Sequence, residues 1–389
     1  MFLPFWKNLS QYPTNGRLTQ QTAVPKQMMK RTRLRDLGIS LGHFPPGPHN
    51  AITDVPGVTV GHSTVIHDEP RLARTGVTMV LPRGGDEWHN YCFAGYHSFN
   101  GNGEMTGIPW LEESGMLGSP IGITNTHQVG IVRDTLVELS ESLGYLDSFL
   151  LPVVAETYDG WLNDINAFHL TKDHALAAYH NASGGAVAEG NVGGGTGMIC
   201  HEFKGGIGTA SRVVKMEEAE YVMGALVQAN YGDRRLFRVD GVPVGRLIAE
   251  EDAPRPDWKR PLLPSSSIIV IIATNAPLIA TQCQRLAQRA TVGLARVGGT
   301  GHNGSGDIFL AFATGNDLPN RGPNFLHSLN MLPHRHMNGL FDATAEAVEE
   351  AIINALCAAE TMTGFHGHTV HALPLDKLQA VMKQYQVLQ

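Results

Sequence analysis

An α/β fold, with layers of sheet and helix covering one another, is what the sequence predicts, and three observations carry it. Short β-branched runs bounded by Gly and Pro alternate with stretches of helical apolar spacing from about Asp36 onward. The last third reads as strand, helix, glycine-rich turn, strand and long helix. The 389 residues are 42% hydrophobic and 17% charged with a mean hydropathy of -0.10, which supplies a sizeable core and excludes general disorder.

Taken in order, residues 1–34 read as a polar extension. MFLPFWKNLSQYP opens apolar but meets Lys7 at once, and Lys26, Lys30, Arg31 and Arg33 crowd the far end. No apolar run there is long enough for a secretory core; a mitochondrial-type leader is the other reading, and the cytoplasm is the expected compartment. Residues 35–389 are expected to form a single domain. Val58–Ile66 and Gly76–Leu81 are β-branched and bounded by Pro and Gly, hence strands, and Ile121–Thr126 after Pro120 is similar. Val129–Leu143 has helical spacing, while Tyr221–Val227 and Val242–Ile248 read as further strands. Glu250–Pro264 is charged and holds Pro254, Pro256, Pro261 and Pro264, so it cannot form a helix or a central strand. Directly after it come Ser265, Ser266 and Ser267, then five consecutive β-branched residues, Ile268–Ile272, the mark of a buried central strand. A helix from Pro277 to Arg296, with proline in its first turn, leads to the glycine-rich turn Gly298–Gly306. A strand over Asp307–Thr314 and a long helix over Ala343–Met362 complete the pattern.

Composition narrows the function. With 29 basic and 36 acidic side chains the formal charge is -7, which removes the electrostatic drive for nucleic acid. No run of about 18 apolar residues exists to span a membrane. Cys92, Cys200, Cys283 and Cys357 are too few for a disulfide framework and lack CxxC-like spacing; Cys200 and Cys283 read as small core residues. The turn Gly193–Gly197 invites a phosphate-loop reading, but no Lys-Ser/Thr follows at the required spacing. A tight turn lying close to other backbone or to a substrate is favoured, with Gly205–Gly208 continuing the irregular region. His366, His368 and His371 have no carboxylate or cysteine companion, so surface or core histidines explain them, and His302, better than a metal site or a general base. No metal and no cofactor are expected.

The turn Gly301–Asp307 places the hydroxyl of Ser305 and the carboxylate of Asp307 two residues apart as a strand begins, so both point to one side. Plain turn chemistry explains such a pair equally well. A nucleophile elbow needs GxSxG after a strand, whereas the glycines here sit directly beside Ser305 and ahead of a strand. The other way to activate a hydroxyl without histidine is to free its own α-amine, whose pKa of about 8 suits a general base. Such an enzyme is made as a precursor and cut just before the nucleophile. An exposed segment ending in Ser or Thr that opens a buried strand is the expected signature, and Glu250–Pro264 followed by Ser267-Ile-Ile-Val-Ile-Ile matches it.

At this point the chain resembles a known family. The motifs are Thr53–His62 (TDVPGVTVGH), Glu156–Gly160 with Leu162–Asn166, Gly193–Met198, Lys204–Gly208, Ser267–Thr274 with Ala276–Leu278, and Asn303–Asp307. In this order they resemble the self-processing L-aminopeptidase/D-amidase-esterase family, which includes the β-peptidyl aminopeptidases, from about Arg35 almost to the C-terminus. The resemblance implies a four-layer α-β-β-α sandwich, similar to N-terminal nucleophile hydrolases but with different connectivity. It implies cleavage into an α-chain 1–266 and a β-chain 267–389, with Ser267 as nucleophile. Ser305 and Asp307 match the hydroxyl and acid that assist it, Tyr158 and Asn230 the donors to the oxyanion, and Glu156 the anion that binds a substrate's free amine. The implied substrates are short peptides, amides or esters with a free amino group, and the implied assembly is a homo-oligomer, in many members a tetramer.

One departure concerns the cleavage point. Ser266 stands where Gly or Asn is typical, so Ser266 and Ser265 are runner-up nucleophiles. Two other functions compete. An acyl transferase like the ornithine acetyltransferases shares a related sandwich but uses Thr, and no Thr opens this strand. A non-catalytic glycine-rich binding protein would never be processed. Whether L-α-, D- or β-amino acid derivatives are preferred depends on pocket shape.

Overall fold

The computed structural model describes residues 30–145, 149–217, 219–257, 266–321 and 326–385. The N-terminal extension up to Met29, with the leader question, and Ser265 lie outside them. In chain order the strands are β1 (Thr59–His67), β2 (Ala73–Leu81), β3 (Asn90–Gly101), β4 (Met116–Leu117), β5 (Ile121–Asn125), β6 (Val153–Thr157), β7 (Ile199–Cys200), β8 (Phe203–Lys204), β9 (Gly206–Met216), β10 (Ala219–Asn230), β11 (Ser266–Thr274), β12 (Ser305–Pro319), β13 (Met362–Thr363) and β14 (Thr369–Val370). The helices are α1 (Ile108–Ser114), α2 (Val129–Ser142), α3 (Lys172–His180), α4 (Val244–Leu247), α5 (Ala280–Val297), α6 (Met337–Ala358) and α7 (Leu375–Gln384). Arg31 to Leu34 pack on this body: Leu34 is buried, and Arg31 donates to the carbonyls of Leu356 and Leu373.

Two sheets face each other. One has four strands in the order β1-β2-β5-β6, the other six in the order β4-β3-β12-β11-β10-β9. Strand alternation feeds a different core on each face. Ile269 and Ile271 of β11 meet Ile121, Ile123 and Val153 between the sheets, while Ile268, Val270 and Ile272 turn outward to Leu286 of α5 and Val348 and Ile352 of α6. A strand buried on both sides has no use for polar alternation, and each such isoleucine contributes about 2 kcal/mol of burial. On the far side, Val77 and Met79 of β2 and Val154 of β6 pack under α2 and α3. The order is therefore helix, sheet, sheet, helix, the four-layer sandwich expected. Among the described residues no helix is long and apolar enough to cross a membrane.

Several local expectations need correction. Val242–Ile248 is not a strand: Gly241 turns the chain with φ +75 and Pro243 lacks an N–H, so only the short helix α4 forms. Gly205–Gly208 is not irregular, because β9 starts at Gly206. A Cβ at Gly208 would stand 2.0 Å from the Ala351 carbonyl oxygen of α6, so bare backbone is what lets the helix lie on this strand. The helix expected from Pro277 starts at Ala280, where the Gln282 side chain accepts from the Ile279 N–H, and α6 spans Met337–Ala358 in place of Ala343–Met362. The twelve-residue β3 carries no valine or isoleucine and went unread, although it pairs with β12.

Candidate active site

Four strand ends meet at one place. β10 ends at Asn230, β11 and β12 begin at Ser266 and Ser305, and β6 of the facing sheet ends at Thr157. Within the sheet, Ser267 is the antiparallel partner of Asn230 and the parallel partner of Gly306. It is 2% exposed, and the Gly306 N–H donates to its Oγ at 3.2 Å. Register partners carry their side chains on the same face, so Ser267 and Asn230 both look toward the facing sheet, as Ile269 and Ile271 do. Ser266 alternates to the other face.

The Ser266–Ser267 bond runs alongside Ser305–Gly306 in parallel register. Ser305 Oγ donates to Asp307 Oδ1 at 2.5 Å, so the spacing argument correctly placed these two groups together. Asp307 shares its face with Ile268 and Phe309, which pack on the helices, so the pair flanks the backbone around Ser267 from behind and not its Oγ. Burial pushes the Asp307 carboxyl up to about 6, against the Ser305 hydrogen bond, the charge of exposed His302 and the Ile268 N–H, which all hold it down. The turn itself is pinned by β3 and the loop after it. Asn100 Nδ2 donates to the carbonyls of His302 (2.8 Å) and Ser305, and Asn102 Nδ2 to that of Gly304 at 2.9 Å.

The facing sheet brings the remaining groups. Asn230 Nδ2 donates across to the Tyr158 carbonyl at 2.9 Å, and two residues earlier Gln228 Nε2 donates to Thr124 O and Thr157 Oγ1 at 2.9 and 2.8 Å. This alternate-residue pair on β10 clamps the sheets together where Tyr158 leaves β6. Tyr158 is half-buried, its ring folds over Gly160, and among the described residues its hydroxyl makes no hydrogen bond. Burial, with the charge of Asp159, raises its pKa.

Glu156 is 3% exposed; its Oε1 accepts from the Glu104 N–H at 3.0 Å and its Oε2 from the Thr126 hydroxyl. Burial raises its pKa, and among the described residues no lysine or arginine pairs with it. Two glycines bring it close to Gly306, the register partner of Ser267. A Cβ at Gly103 would meet Glu156 Oε1 at 3.1 Å and Gly306 Cα at 3.2 Å, and one at Gly306 would meet the Asn102 carbonyl oxygen at 2.5 Å. The result is a buried hydroxyl on a strand end, an amide in register beside it that holds the Tyr158 backbone, a carboxylate without a lysine or arginine partner, and a hydroxyl–carboxylate pair on the other face. Sequence reasoning missed Asn100, Asn102, Thr126 and Gln228; only the period-two pairing of Gln228 with Asn230 carried a signal. Of the C-terminal histidines, His368 stacks on Trp161 with ring centroids 3.8 Å apart.

Comparison with known proteins fits this geometry. A family model described as peptidase family S58 matches residues 50–370. The β-peptidyl aminopeptidase BapA of Sphingosinicella microcystinivorans is 47% identical over 371 residues, covering 92% of this chain and 93% of its own. Among solved structures, a β-aminopeptidase of Burkholderia sp. is 50% identical with a TM-score of 0.83, covering 91% of this chain and 99% of that one. The L-aminopeptidase D-Ala-esterase/amidase of Ochrobactrum anthropi, described as a prototype serine aminopeptidase and a new variant of the Ntn hydrolase fold, is 44% identical with a TM-score of 0.84, covering 92% and 99%.

Proposed function

The chain belongs to peptidase family S58, and from that premise we propose that it cuts itself between Ser266 and Ser267 and then works as an aminopeptidase with Ser267 as its nucleophile. It is a peptide-bond hydrolase on a variant of the N-terminal-nucleophile fold. The observation that carries the reading is the position of Ser267: buried at the head of a central strand, with Gly306 N–H on its Oγ and Asn230 beside it in register. Ser266, the runner-up, faces away from Asn230 and Glu156.

In the uncut chain Ser267 Oγ attacks the Ser266 carbonyl carbon. The C–N bond breaks, the nitrogen takes the hydroxyl proton, and the ester formed is opened by water, leaving a carboxylate on Ser266 and a free amine on Ser267. In turnover that amine accepts the Oγ proton while Oγ attacks the substrate carbonyl. The second Nδ2 hydrogen of Asn230 and the Tyr158 hydroxyl donate to the oxyanion, each worth about 3 kcal/mol of barrier. The leaving amine takes that proton from the Ser267 ammonium; water, deprotonated by the Ser267 amine, then attacks the acyl ester, and Oγ takes the proton back as the acyl group leaves. Asp307, through Ser305, stabilises the ammonium form.

Glu156 selects substrates. A buried carboxylate without a lysine or arginine partner is costly until an ammonium arrives, so the free amine of a peptide, amide or ester completes it. A tetramer of processed protomers belongs to the same reading, and the exposed Trp110, Phe149 and Leu151 offer apolar surface for assembly. Denaturing electrophoresis with intact mass tests the core of the proposal: wild type gives fragments 1–266 and 267–389, and Ser267→Ala gives one inactive 42.1 kDa chain. An uncut wild-type chain that hydrolyses peptides at full rate overturns it.

A further inference from the structure

Lys204, the last residue of β8, is fully buried, and among the described residues no carboxylate pairs with it. An ammonium has three donors and no acceptor, and all three here are aimed at backbone carbonyls: Met198 and Gly205 at 2.9 Å each and Gly195 at 3.4 Å. A cation held this way is costly, and burial drives Lys204 down to about 7, with only Cys200 opposing. Holding a turn does not require a charge, since neutral donors satisfy carbonyls equally well.

What lies beyond the Met198 carbonyl gives the charge a use. Met198 C=O and Ile199 N–H belong to one peptide group, and that N–H donates to Asn230 Oδ1 at 2.8 Å. Asn230 Nδ2 in turn donates one hydrogen to Tyr158 O at 2.9 Å, leaving the other for the reaction. Hydrogen bonds in series polarise one another, most strongly where water is excluded. A cation at the head of the series draws electron density from the peptide, which makes its N–H a stronger donor, which makes the Asn230 amide a stronger donor at its free hydrogen. The series also fixes which way the amide is turned: Oδ1 must face Ile199.

We propose that Lys204 is a positioning residue of the oxyanion site, its ammonium acting through the Met198–Ile199 peptide to orient and polarise the Asn230 amide. The assignment rests on Asn230 being an oxyanion donor. Kinetics of Lys204→Met, Asn230→Ala and the double variant on one peptide amide test both statements separately. The expected result is a kcat lower by ~30–100-fold in Lys204→Met with KM within about 2-fold, and a cost of less than about 3-fold when the same change is made in Asn230→Ala. If Asn230→Ala leaves kcat unchanged, the oxyanion reading of Asn230 fails. If Asn230→Ala is impaired while Lys204→Met is not, or if the two losses multiply, the role of Lys204 fails and that of Asn230 stands. Should Lys204→Met give no soluble protein, Lys204→Gln is read by the same criteria, because it keeps a donor to the carbonyls and removes the charge.

Discussion

Each acidic residue at the site is set apart by what it touches. Glu156 is oriented by Thr126 and the Glu104 N–H and pairs with no lysine or arginine among the described residues, with only the positive charge of His127 acting on it, which is why it is proposed to take the substrate's ammonium. Glu156→Ala should spare self-cleavage, since no free amine takes part in it, and lower kcat/KM for free-amine substrates by about 10²-fold. Steady-state kinetics beside a gel of the same preparation check this, and equal loss of cleavage and turnover would assign Glu156 a purely structural role. Asp307 differs in accepting from the Ser305 hydroxyl, through which it is proposed to act. Its carboxyl is pushed up to about 6, mainly by burial, so acidification through that value converts the useful carboxylate to the neutral acid. Below the fall set by protonation of the Ser267 amine at about pH 8, kcat should show a second fall as pH drops through about 6, and Asp307→Asn should abolish that second limb while lowering kcat about 10²–10³-fold above it. A pH profile whose second limb survives in Asp307→Asn would place the titration on another group.

The start of β12 is the element on which Ser267, the proposed nucleophile, is aligned. Gly306 pairs with Ser267, donates to its Oγ and leaves no room for a side chain against Asn102 and Gly103. Gly306→Ala should therefore slow self-cleavage and turnover at least ~10²-fold and cost about 2 kcal/mol or more of stability, because the obstruction is backbone and cannot rotate away. Cleavage time courses and thermal melts check it, and a wild-type rate would mean that the 102–103 segment yields. The same elements show how much was legible in the chain. β11 was plain from five β-branched residues after a proline-rich segment, and Ser305–Asp307 from their spacing, since both rest on local pattern. β3 was not, because NYCFAGYHSFNG has no β-branched residue and is a strand only through pairing with β12. Val242–Ile248 misled for the opposite reason, its apolar content overridden by Gly241 and Pro243. Tyr158, Asn230 and Glu156 gained roles by family resemblance and neighbours by folding: their proximity depends on two sheets packing, which no local pattern records.

Seen over the whole molecule, the proposed cut falls where it separates chain without separating structure. It leaves β3, β9 and β10 in the α-chain and β11, β12, α5 and α6 in the β-chain, yet β11 lies between β10 and β12 in one sheet, paired with β10 from Asn230–Ser267 to Met223–Thr274. Buried ions reinforce the join. Arg212 of β9 bonds Glu346 at 3.0 Å and Glu350 at 2.7 Å, both on α6, and Arg35 bonds Glu350 at 2.8 Å. Pulling the fragments apart would expose a core and strand these charges. The two fragments should therefore coelute on native size exclusion and separate only in denaturant. Burial pushes Glu350 up, but Arg212 and Arg35 outweigh it and hold its carboxyl below the ordinary 4.5. A carboxyl depressed in the folded state contributes stability above its unfolded value and loses it as pH falls toward the lower folded one, so the joined fragments should weaken below pH 4.5. Arg212→Met removes the partner that makes this so, and should lower Tm at neutral pH by several degrees, an effect of about 3 kcal/mol, while flattening the acid dependence. Melts of the processed wild type and Arg212→Met from about pH 3 to 7 decide it: curves that run parallel would show that the Arg212 cluster does not hold the two fragments together.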